Sequence, residues 1–216
     1  RLVVTNEYEA MLKERELEPT PVRELIKARG SNLFIGAFAA LASYALFHLV
    51  TVFPLSWIAL NASQEVNAVL TIQIIGAFIA IFATMASGRL ADRIGRRNTL
   101  GLLAVLIAIF SGIMPFLSNG GPVVQDAFIL VGFALLGLSY GQAAGAVTAN
   151  FAAHYRYTGA ALTSDLAWLL GAAFAPLVAL SLSAYFGAGY VALYLLSGAV
   201  CTLVALKVNR TLEMRG

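Results

Sequence analysis

Six stretches of this chain, roughly 32–57, 66–87, 98–117, 125–149, 158–182 and 188–207, are predominantly apolar, and very little sequence separates them. A helix needs about 20 such residues to cross the hydrocarbon of a bilayer. The connections are "IALNASQE", "GRLADRIGRR", "SNGGPVV", "NFAAHYRY" and "SAYFGAG", none long enough to hold a soluble domain. Hydrocarbon offers no hydrogen-bond partner to a backbone, so only helices or closed barrels span it. Continuous apolar runs do not alternate as barrel strands do. The expected fold is all-α, a polytopic bundle of six transmembrane helices. Composition agrees: 12% of the residues are charged, against about 25% in an ordinary soluble domain.

The cations orient the bundle. Arg1, Lys13, Arg15, Arg23, Lys27 and Arg29 precede the first span, and Arg89, Arg93, Arg96 and Arg97 lie between the second and third. Arg156 lies between the fourth and fifth, and Lys207, Arg210 and Arg215 follow the sixth. These are all 14 Lys and Arg residues, and every one falls on the same side. Cationic loops stay in the cytoplasm, so both ends are expected there, in a plasma membrane that for a bacterium is the inner one. The net charge of +3 therefore reflects membrane orientation and anionic headgroups, with no nucleic-acid partner expected.

Residues 1–31 read as a cytoplasmic linker with short amphipathic helices, 32–207 as the transmembrane bundle and 208–216 as a cytoplasmic tail. "NEYEAMLKEREL" is a good helix former, with Glu9 four residues before Lys13. In "TPVRELIKAR", Thr20 is the expected N-cap and Pro21 the first helical residue. The chain opens on Arg1 with a polar stretch, so it is expected to be a piece of something longer. Its one cysteine, Cys201, excludes an intrachain disulfide, and no cofactor or metal site is expected.

The decapeptide "GRLADRIGRR" (88–97) is too widely spaced in glycine for a phosphate-binding loop and lacks its Lys-Ser or Lys-Thr. Gly88, Asp92, Arg93, Gly95, Arg96 and Arg97 match, in order and spacing, the G-x-L-x-D-R-x-G-R-R signature of the major facilitator superfamily. "HYRYTGAAL…LLGAAFAPLVA" and "HLVTVFPLSWI" resemble that family's metabolite–proton symporters. The resemblance implies the C-terminal six-helix half of a twelve-helix secondary transporter, with an absent N-terminal half as partner. It further implies a small organic acid, amino acid or osmolyte as substrate and protons as the coupling ion. In the signature loop it implies that Asp92 latches a helix N-terminus of the opposite half. Within the loop itself, Gly88 and Gly95 are expected to form the tight turns, with charge balance against Arg93 or Arg96 as the alternative role of Asp92. Where the resemblance leads one to expect a polar amide in the fifth span, this chain has Thr163, Ser164 and Asp165.

Polar groups inside a membrane are costly and therefore candidates for function. Counted from the span ends, Asp165 and Gln142 form an inner layer about 10 Å deep, and His48 and Gln73 an outer layer near 24 Å. His48 and Asp165 are then about 14 Å apart in depth. These four are the expected substrate or proton pathway, with interhelical hydrogen bonding the simpler role for His48, Gln73 and Gln142. Gly137, Gly141 and Gly145, and Ala167, Gly171 and Ala175, have the spacing of close helix packing. Pro176 is expected to bend the fifth helix. An intramembrane enzyme is disfavoured, since an aspartyl dyad needs two deep carboxylates and neither H-E-x-x-H nor G-x-S-x-G occurs. A free-standing six-helix scaffold, or a half-size subunit without transport of its own, is the alternative function.

Overall fold

Each apolar run becomes one helical span in the computed structural model, which describes residues 21–61, 65–117, 120–149 and 151–209. Helices α1 (Val22–Thr51) and α2 (Phe53–Asn61) form the first span, and α3 (Val66–Ile94) and α4 (Arg96–Leu117) the second and third. Helix α5 (Gly121–Ala149) is the fourth. The fifth comprises α6 (Ala153–Trp168), a π-helical turn (Leu169–Ala173) and α7 (Ala175–Phe186), and α8 (Val191–Val208) is the sixth. All six are long and apolar enough to cross a membrane.

The helices overrun the apolar stretches. Helix α3 continues through Arg89, Asp92 and Arg93 to Ile94, and α6 starts at Ala153. Leu, Ala and Arg sustain a helix outside hydrocarbon, and no breaker intervenes before Gly95. Leu25, on the first turn of α1, is buried with Leu33 and Phe151. A kink at Arg29 (φ −141°, ψ 25°) lets that turn leave the axis of the span. Pro21 occupies the cap position, not the first helical one, and Thr20 and the "NEYEAMLKEREL" segment lie outside the described residues.

The first span is the centre of the bundle. Its apolar stretch is 72% buried, against 11% for the second span and 28% for the fifth. Helix α1 packs against α8, α5 and α6, while α4 bridges α5 and α8. The most extensive contact is α3 along α5, and the glycine spacing of α5 explains it. A Cβ on Gly137 would stand 2.7 Å from the Ala80 Cα, and one on Gly141 would be 3.0 Å from the Thr84 methyl. Backbones this close let the Thr84 hydroxyl donate to the Gly137 carbonyl at 3.0 Å. Without a hydrophobic drive between helices in lipid, such contacts supply the association energy.

Candidate functional site

Between Gly36 and Val50 the first span is buried at every position except Phe38, Phe47 and His48. Tyr44, Phe47 and His48 share one helical face by their i, i+3, i+4 spacing. Against that face stands Trp168 of α6, its ring centroid 5.0 Å from Tyr44, 5.2 Å from Phe47 and 6.0 Å from His48, each edge to face. Tyr140 of α5 joins at 5.6 Å from Tyr44. Edge-to-face packing places the positive rim of one ring on the negative face of the next, which fixes the cluster geometrically. The Tyr44 hydroxyl hydrogen-bonds Ser164 and lies within electrostatic reach of Asp165. Three spans thus meet at a half-buried aromatic wall with one carboxylate beside it.

Asp165 is exposed on α6, one turn before Trp168. His48 faces Trp168, the residue one turn after Asp165, with ring centroids 6.0 Å apart. The His48 Nδ1 is buried without a hydrogen-bond partner among the described residues, as is the hydroxyl of fully buried Thr163.

Two other residues are engaged elsewhere. Gln142 is buried and its amide donates to the Ser87 hydroxyl at 3.1 Å, joining α5 to α3. Gln73 donates to the carbonyls of Val50 (3.2 Å) and Thr51 (2.7 Å) at the end of α1. The members of the aromatic wall other than His48 were not singled out from the sequence. Their signal was the i, i+3, i+4 spacing of 44, 47 and 48, which reads equally as lipid-facing packing.

The signature segment is almost entirely helical. Gly88 is inside α3 and forms no turn, contrary to expectation, and Gly95 alone reverses the chain (φ 82°, ψ 148°). A left-handed φ is costly for any residue with a Cβ, so the glycine there is required. Arg96 and Arg97 reach away from this turn to other helices. The Arg96 Nη1 donates to the Gly145 carbonyl near the end of α5 at 3.0 Å, and the Arg97 Nε to the Leu206 carbonyl near the end of α8 at 3.1 Å. The Leu206 carbonyl is one left open in the last turn of its helix, and both cations meet the negative end of a helix dipole. Arg93 and Asp92 are exposed, and Asp92 makes no hydrogen bond or ion pair with the described residues.

Among the described residues no three His, Cys, Asp or Glu side chains come together as a metal would require. No family model and no solved structure matches the chain. Curated proteins do. The inner membrane metabolite transport protein YhjE of Escherichia coli K12 is 32% identical over 208 residues, which are 92% of this chain and 47% of that protein. A putative metabolite transport protein of Haemophilus influenzae is 31% identical over 214 residues, 94% of this chain and 49% of its own. The alignments fall on the C-terminal halves of these relatives. The chain is similar to the C-terminal half of a major facilitator superfamily transporter. It spans about half the length of the curated relatives it matches, and its six spans are one half of that fold. The E. coli shikimate transporter is a more distant relative at 28% identity over 88% of this chain. These relatives are named for transport, and none as an enzyme.

Proposed function

We propose that the protein containing this half moves a small organic solute (an organic acid, amino acid or osmolyte) by alternating access, in symport with protons. The observation that carries the reading is the aromatic wall of Tyr44, Phe47, His48, Tyr140 and Trp168, half open at the centre of the first span with Asp165 exposed beside it. An absent N-terminal half faces that wall, and the two halves rock around a site between them. The relatives' names support a metabolite as cargo, and YhjE's name supports the inner membrane. The basic end of the bundle then faces the cytoplasm, residues 1–31 link the halves and 208–216 form the tail.

Asp165 is the proposed proton carrier. It stands at mid-span with no Lys or Arg among the described residues at its level, since Arg156 is nine residues before it, about 13 Å along the axis. A carboxyl that meets water from alternate sides can load and release a proton as access changes. His48 and Gln142 complete the proposed pathway, His48 by its free Nδ1 at the wall and Gln142 from the seam of α3 and α5. Gln73 stands beyond His48 at the end of α1. Asp92 is the proposed latch toward the opposite half, and Gly88, Arg93, Gly95, Arg96 and Arg97 shape the segment that presents it.

The test is Asp165→Asn in proteoliposomes of the full-length protein, with candidate metabolites screened with and without a pH gradient. The variant is expected to lose gradient-driven accumulation and to keep substrate exchange. Accumulation that survives the substitution removes Asp165 from the proton path.

A further inference from the structure

Two of the six spans are broken at neighbouring levels, directly beyond the aromatic wall. In the first span α1 ends at Thr51 and α2 begins at Phe53, and Pro54 has no N–H for the Val50 carbonyl four residues earlier. In the fifth, the π-helical turn comes immediately after Trp168, and Pro176 has no N–H for the Ala172 carbonyl. Each break is held from an unbroken neighbour. The Gln73 amide of α3 takes the Val50 and Thr51 carbonyls, and the Tyr194 hydroxyl of α8 takes the Gly171 carbonyl at 2.9 Å. Gly171 itself is pressed on the first span, where a Cβ would come within 3.1 Å of the Tyr44 Cβ. Beyond the breaks, α2 and α7 pack against one another.

We propose that α2 and α7 move together as a lid over the aromatic wall, and that Gln73 and Tyr194 are positioning residues that set its closed state. A carbonyl held by a side chain can release that donor without unzipping a helical ladder, which gives each break the character of a hinge. A π-helical turn carries one residue more than the α-helical register, so regularising it rotates α7 relative to Trp168. Solute resting on Trp168, Phe47 and His48 would touch the inner edge of both hinges. The lid rests on the alternating-access reading above, so its test uses neither substrate nor gradient.

Full-length protein with Cys201→Ala, carrying Ser183→Cys in α7 or Ser56→Cys in α2, is placed in nanodiscs that leave both faces open. The maleimide labelling rate reads the lid, and Asn98→Cys at the opposite end is the control. Tyr194→Phe should raise labelling at 183 by about fivefold, the size of one lost hydrogen bond, and Gln73→Leu, which loses two, should raise labelling at 56 by at least as much, with the rate at 98 unchanged. Unchanged rates at both lid positions overturn the proposal. An equal rise at position 98 also overturns it, because the substitutions would then loosen the whole bundle. A failed uptake screen would reject transport and leave this measurement standing.

Discussion

Arg96 and Arg97 show how one residue type divides its work within a single turn. All four arginines of the signature read from sequence as orienting charges, yet these two cap the carbonyls of Gly145 and Leu206 while Arg89 and Arg93 remain exposed. Nothing in the order of residues indicated which would turn inward, because the carbonyls they meet lie 49 and 109 residues away. Asp92, with no partner among the described residues, is presented outward at the last turn of α3. Asp92→Asn keeps every cation and every cap in place, so expression and insertion should be normal. Uptake by the full-length protein should fall at least tenfold if the latch contributes a charge-assisted bond of about 1.5 kcal/mol or more. Wild-type uptake by well-inserted variant protein would reject the latch.

At the scale of elements, the spans and the glycine seams were legible and the breaks only in part. The spacing of Gly137, Gly141 and Gly145 announced a close packing seam; Gly137 and Gly141 meet α3 at Ala80 and Thr84, while Gly145 meets the Arg96 guanidinium of α4. Gly137→Leu should therefore destabilise the protein by roughly 1–3 kcal/mol, the usual cost of overpacking. Gly112→Leu, where a Cβ would meet nothing within 4 Å, should leave stability near wild type. Thermal unfolding of both variants in detergent checks the pair, and equal melting temperatures would show that the seam is not under compression. Pro176 correctly marked a break in the fifth span. The π-helical turn before it was not legible, because a five-residue run of Leu, Gly and Ala reads as ordinary helix until Tyr194 and the face of α1 are in place.

For the whole molecule, the expectation that all described cations gather at one end agrees with the helix ends they occupy. Which side of the membrane that end faces is a separate matter, settled by labelling sealed cells. Cysteines at positions 61 and 120 should react with an impermeant reagent from outside, and those at 94 and 154 only after the cells are opened. The reverse pattern would invert the topology. Six spans were readable because hydrocarbon thickness constrains length so tightly, whereas the aromatic wall was not, since it assembles from spans 1, 4 and 5 and depends on their mutual register.

The enclosure of the first span also governs the order in which the bundle can be completed. The Thr202 hydroxyl of α8 accepts the Ala42 N–H and donates to the Phe38 carbonyl, each at 3.0 Å, so it enters a rung of the first helix's own ladder. Gly198 admits the same close approach, with its Cβ position 3.4 Å from the Ala45 Cβ. Within this bundle the first span is thus sealed by the sixth. Until the ribosome has delivered residue 202, the Phe38–Ala42 rung of the first span must wait in lipid or in the insertion machinery without its final neighbour. Biogenesis of this half ends in a closing step that depends on its C-terminal span, and a nascent chain halted earlier holds its central helix with one side open.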